Sequence, residues 1–179
     1  MIVQTSRFGA VEITNDDLIS FPEGLLGFAD LKKFVLLDDP IDEIFAWLQC
    51  VDDGQIAFAV LEPELFVPNY KVQLSRHDME ALLVDDERPA RFFSIVTIPE
   101  DPTLMTANLK APIVLNPCGR IGRQCVLQDN SLAIREPIFS RLQQRVIQNP
   151  SQPLKTQAVD LDMVVKLPTI PTTVDKSNL

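Results

Sequence analysis

Four groups of carboxylates, one histidine and one Gly/Arg-rich turn are the residues of this 179-residue chain whose types and spacing could do chemistry. The carboxylates are Asp38-Asp39, Asp42-Glu43, Asp52-Asp53 and Asp85-Asp86-Glu87. Two carboxylates that share acid–base work must face each other across a cleft in unlike environments. Neighbours in a turn seldom do so, and solvated turn chemistry is the stronger expectation for all four groups. A binding role for the same charges stays open. His77, next to Asp78, could serve as a base, but a histidine at the start of a helix is more simply a surface residue. Cys118-Gly119-Arg120-Ile121-Gly122-Arg123 has the composition of an anion-binding turn. Its spacing matches neither a phosphate loop nor a dinucleotide fingerprint, and no helix pattern follows, so a flexible hairpin connection is expected. Cys50, Cys118 and Cys125 lack CxxC spacing, and one His cannot complete a zinc site with them. Reduced, mostly buried thiols are expected, with no metal, no cofactor and no catalytic set.

The stretch Phe45 to Tyr70 is informative in another way. It holds the only Trp and the only Tyr, and its apolar runs are broken by Asp, Glu, Pro and one Gly. Such a pattern suits the strands and turns of a binding domain. Trp and Tyr anchor protein interfaces through large, rigid, amphipathic area. For Trp47, inside an apolar strand, core filling is the simpler expectation; for Tyr70, after Pro68-Asn69, a core role and an interface role are equally open.

The elements that must position these residues are mostly short strands. Phe8–Ile13, Phe34–Leu37, Phe45–Cys50, Ile56–Leu61, Arg91–Ile98, Ile113–Leu115, Gln124–Gln128 and Leu132–Ile134 are rich in Val, Ile and Phe and bounded by Asp, Asn, Gly and Pro. Ile56 to Leu61 alternates large and small residues, as in tight barrels. Asp52-Asp53-Gly54-Gln55 predicts a hairpin with Gly54 at positive φ. Ser75 caps a predicted helix with Met79, Leu82 and Leu83 on one face. Thr14 to Ser20 suggests another helical turn. A later helix opens at Pro137, carries Ile138, Leu142 and Val146 on one face and stops at Asn149-Pro150. The expected fold is mainly β: a small antiparallel barrel-like domain over 1–135 with one or two short helices, then a C-terminal appendage over 136–179. The appendage is expected to be mostly extended, with Met163 to Val165 as a possible added edge strand.

Residues 1–135 hold 21 Asp and Glu against 11 Lys and Arg, whereas residues 136–179 hold 4 against 5. An acidic domain repels a phosphate backbone, so direct nucleic-acid binding is disfavoured, while basic proteins are attracted. The apolar runs are too short to span a bilayer and no secretory signal is visible, so no membrane association is expected.

Three segments together resemble the FliW flagellar assembly factor family. They are Ile19-Ser-Phe-Pro-Glu-Gly-Leu-Leu-Gly-Phe28; Phe45-Ala-Trp-Leu-Gln49 with Ala57-Phe58-Ala59-Val60, Pro63, Pro68 and Tyr70; and Asn108-Leu-Lys-Ala-Pro-Ile-Val-Leu-Asn116 with Gly122-Arg-Gln-Cys-Val-Leu127. Order and spacing agree, and the resemblance covers about residues 1–135. It implies a compact β-barrel-like protein of the bacterial cytoplasm. Members bind newly made flagellin before export, and they bind CsrA, a small basic RNA-binding protein that represses flagellin translation. On that basis Phe21, Pro22, Glu23, Leu25 and Phe28, on a loop pinned by Gly24 and Gly27, are candidates for an apolar patch facing flagellin, with Tyr70. The same loop could equally plug one end of the barrel. Asp39, Asp42, Glu43, Asp52, Asp53, Asp85, Asp86 and Glu87 are candidates for meeting CsrA. The alternative from another class is a small β-barrel enzyme acting on a sugar or acyl substrate through a carboxylate or His77.

Overall fold

The computed structural model describes residues 1–38, 44–151 and 164–168. In chain order the elements are β1 (Ile2–Thr5), β2 (Gly9–Glu12), β3 (Ile19–Ser20), β4 (Lys33–Asp38), β5 (Ala46–Cys50), β6 (Ala57–Leu61), α1 (Arg76–Leu82), β7 (Arg91–Thr97), β8 (Thr106–Ala107), β9 (Ile113–Asn116), β10 (Ile121–Gln124), β11 (Glu136–Pro137), α2 (Phe139–Gln148) and β12 (Val164–Lys166). Strands β3-β4-β5-β6-β7-β9-β10 hydrogen-bond in that circular order and close a seven-stranded barrel. Every neighbour in it is antiparallel except β3 and β10, which meet in parallel at Ser20 and Ile121. Closure removes most of the free edge that an open sheet of this size would expose.

Alternation along the strands builds two cores, one on each face of the barrel wall. Ile19, Phe21, Phe34, Leu36, Ala46, Leu48, Cys50, Val60, Phe93, Ile113 and Leu115 come from strands all round the barrel and from its plugging loop, and they fill the interior. Val35, Leu37, Trp47, Ala59, Leu61 and Val96 point the other way. This outer core is covered by Val3, Val11 and Ile13 of the β1–β2 ribbon, by Leu65 and Phe66, and by Ile138 and Leu142 at the start of α2. The large-small alternation of Ile56 to Leu61 is resolved accordingly: Ile56, Phe58 and Val60 pack inside, and Ala59 stands opposite Trp47 on the outer face. A third cluster, Leu82, Val84, Val114 and Cys125, seats α1 on the barrel.

Several expected elements take a different form. The 52–55 hairpin is present, but Gly54 has no positive φ. It must be glycine because a Cβ there would run into the Gln4 carbonyl oxygen, where the Ser6 amide also donates to the Gly54 carbonyl. Segments 125–128 and 132–134 form no regular strand, although Cys125 and Leu127 donate amides to Pro112 and Lys110. Ser75 does cap α1, accepting from the Asp78 amide at 3.0 Å. Of the expected apolar face only Leu82 is buried; Met79 and Leu83 are exposed, and Leu83 takes a left-handed φ of 56° as the helix ends. Pro137 lies in β11 rather than opening α2, and Val146 is half exposed. Val164 and Val165 do add a strand, pairing in parallel with Leu36 and Leu37; Met163 lies outside the described residues.

Candidate protein-binding surface

The loop after β3 is held from three sides. The Lys32 ammonium donates to the Pro22 carbonyl at 2.9 Å, the Leu26 amide donates to the Gln124 side chain at 2.9 Å, and the Arg123 guanidinium pairs with Glu23. Gly24 and Gly27 both take positive φ, 67° and 82°. Within this frame Phe21 is fully buried and Leu25 is 3% exposed. Phe21 stacks edge-on with Phe34 at 5.0 Å and lies against Gly122, where any Cβ would strike the ring. The loop is therefore a plug in the barrel end, and Phe21 and Leu25 are not surface residues as the apolar-patch expectation required. Pro22 and Glu23 are exposed, Phe28 is 37% exposed against Phe58, and Leu26, which no pattern singles out, is 59% exposed.

Tyr70 is likewise interior. Its hydroxyl donates to the Leu109 carbonyl at 2.8 Å, and burial pushes its pKa up to about 12. Trp47 is buried as expected and is capped by Phe8 and by the Arg7 guanidinium, 3.6 Å from the ring centroid.

The acidic turns divide by what their carboxylates hold. Asp52 accepts the Lys32 and Lys33 amides and fixes the start of β4; Asp53 accepts the Gln55 amide. Asp85 accepts the Glu87 and Arg88 amides and pairs with the Arg88 side chain, which lowers its pKa. Asp53 and Asp85 organise their own turns, as Asp commonly does, whereas Asp52 ties its turn to the neighbouring strand. Asp86 and Glu87 are exposed and make no side-chain hydrogen bond or ion pair with the described residues. Asp39, Asp42 and Glu43 lie outside the described residues.

Arg123 is largely buried beside the third core. Its Nε lies 2.9 Å from Asp78 Oδ1, an ion pair without the alignment of a hydrogen bond. Burial opposes ionisation of Asp78, but the Ser75 hydroxyl and amide together with Arg123 outweigh it, so its pKa is lowered. The neighbouring Cys125 thiol is pushed up to about 12, by burial first and then by the Asp78 charge. A thiol so disfavoured as thiolate is a packing residue. His77 is exposed on the first turn of α1. Cys118-Gly119-Arg120 is the turn of the β9–β10 hairpin, its Cys118 and Gly119 amides bonded to the Asn116 side chain. Among the described residues no group of His, Cys, Asp and Glu could hold a metal ion, and no helix is long and apolar enough to cross a membrane.

One apolar surface went unnoticed in the sequence. Phe139, Val146 and Ile147 of α2 form an open groove with Ile44 and Met105, of about 420 Å³. Val146 shares the helical spacing of the buried Leu142, so periodicity alone assigns it to the core.

Fold and surface together define a small closed β-barrel with a filled interior, exposed acidic turns and exposed apolar patches. The sequence pattern of the family described as "FliW protein" matches residues 2–138. The chain belongs to the FliW family. It is 65% identical over 167 residues to the flagellar assembly factor FliW of Bdellovibrio bacteriovorus, covering 93% of this chain and 95% of that protein. The FliW of Alkaliphilus metalliredigens is 37% identical over 144 residues, covering 80% of this chain and 89% of that protein. A crystal structure of the flagellar assembly factor FliW superimposes with a TM-score of 0.73 at 31% identity, over 78% of this chain and 97% of that one.

Proposed function

We propose that this flagellar assembly factor acts in the cytoplasm by holding flagellin before export and, when free of it, by capturing CsrA and relieving repression of flagellin synthesis. Membership of the FliW family carries this reading, on the match over residues 2–138. The surface is compatible with it. Leu26 and Phe28 offer apolar contact area beside the plugged barrel end, and the α2 groove offers more. Asp86 and Glu87 carry charge not spent on folding their turn, within a domain of 21 acidic against 11 basic residues up to residue 135. Complementary charge speeds encounter with a basic protein and makes its affinity salt-dependent.

The test is titration of purified flagellin and purified CsrA against the full chain at low and moderate salt. Saturable binding of both is expected, with CsrA affinity falling as salt rises. Absence of either complex overturns the corresponding half of the proposal. A CsrA affinity indifferent to salt overturns the electrostatic part.

A further inference from the structure

β12 is a short guest on a long host. Strand β4 pairs with β3 only at Lys33 and Phe34, so the same edge from Leu36 to Asp38 is left over when the barrel closes. Val164, Val165 and Lys166 take that edge in parallel, and the Leu167 amide donates to the Asp38 carbonyl at 3.1 Å. Val165 and Leu167 pack on the outer core, and Val164 packs against residues of the inner one. None of the three is buried. The barrel closes without β12, and the family match stops at residue 138, before β12 begins. The edge is thus a strand-accepting slot whose present occupant lies beyond the family match.

We propose that β12 is a removable strap, and that the Leu36–Asp38 edge is a docking slot which an extended segment of a partner protein enters in its place. The occupant's chemistry is written in the strap itself. It runs parallel to β4, places apolar side chains where Val165 and Leu167 lie, and carries a basic residue between them, as Lys166 does. Backbone hydrogen bonds along β4 would supply affinity, and the apolar-basic-apolar order would supply selectivity, as in strand addition to a sheet edge generally. The tether gives the strap a high effective concentration, so a free partner segment competes at a disadvantage until the strap is released. The inference rests on the function proposed above only in supposing that the protein's business is to hold other proteins.

Two measurements on the full chain test it, neither using flagellin or CsrA, so failure here is distinct from failure of that function. The first is native-state hydrogen exchange. Local opening of a strap gives the Leu167 amide an exchange rate at least about 100-fold faster than the Cys50 amide, which is bonded to Ile56 within the barrel. Equal rates would make β12 a fixed part of the barrel and overturn the proposal. The second uses the V165D/L167D double variant, in which carboxylates set against the outer core eject the strap, and a fluorescent peptide of residues 161–171 as the probe. The variant is expected to bind the peptide about tenfold or more tightly than the wild type does, and a Lys166→Glu peptide is expected to bind more weakly. Equal peptide binding to both proteins, or none to a folded double variant, would overturn the slot.

Discussion

The Arg7 guanidinium lies 3.6 Å from the centroid of the Trp47 ring, closing the outer core where the β1–β2 ribbon turns over it. Phe8 meets the same ring edge-on at 5.9 Å. The only Trp of the chain therefore reports directly on whether the ribbon is seated. Replacing Arg7 by Ala is expected to cost about 0.5–2 kcal/mol, to shift Trp47 emission to the red and to raise its quenching by acrylamide. An unchanged emission spectrum would show that the ribbon's seating is independent of this contact.

Gly122→Ala tests the plug. The added methyl would occupy space held by the Phe21 ring, and Phe21 is fully enclosed. Overpacking of this kind costs about 1–3 kcal/mol. Denaturant melts should show the loss, and combining G122A with Phe21→Leu should restore part of it. If G122A alone is neutral, the loop yields more easily than its three tethers suggest.

At the acid end, Asp78 is the informative group. Its folded pKa is lowered, so its contribution is present above the ordinary value of 3.8 and is lost as pH falls through the lowered value. The stability difference between wild type and Asp78→Asn should be largest near neutral pH, begin to shrink as pH falls past 3.8 and be lost only below the lowered folded value. Arg123→Ala should cost about 1–3 kcal/mol at neutral pH by leaving Asp78 without its cation. A difference independent of pH would remove the ion pair from the account of α1.

The alkaline end has the opposite sign. Cys125 and Tyr70 are both raised to about 12, from 9.0 and 10.0. The unfolded chain releases these protons first, so stability is complete below pH 9 and falls as pH rises from 9 towards 12. Each group adds a slope of about 1.4 kcal/mol per pH unit where only the unfolded form is ionised. Cys125→Ala should lower stability at neutral pH and flatten this decline. An undiminished decline in the variant would place the titration elsewhere.

What could be seen in the sequence was what depends on local alternation. Strands β2, β4, β5, β6, β7 and β9 and the Ser75 cap follow from spacing and residue type. The two-residue strands β3, β8 and β11 carry no local pattern; they exist because barrel closure and the α2 entry bring their partners to them. The plug was ambiguous for a similar reason. Phe21 and Leu25 look alike whether they face a partner or the barrel interior, and only Gly122, about a hundred residues on, makes room for the ring. Tyr70 needed the distant Leu109 carbonyl to become a core residue. The half-exposed Val146 and exposed Ile147 were missed because a helix pattern shows which residues share a face but not how far the barrel extends beneath it. The acidic turns were legible as turns, yet the division between Asp52, Asp53 and Asp85, which hold backbone amides, and Asp86 and Glu87, which do not, required coordinates.

We propose that flagellin and CsrA compete for this protein. A switch that reports flagellin export works only if flagellin binding weakens CsrA binding, and linkage makes that penalty reciprocal. Two footprints of about 800 Å² each could sit apart on a domain of this size, so exclusion has to come from overlapping or coupled sites. Size-exclusion chromatography of the full chain mixed with purified flagellin and purified CsrA is the direct measurement. Two binary complexes are expected, with CsrA displaced as flagellin is added and no ternary peak; a stable ternary complex would rule out the competition.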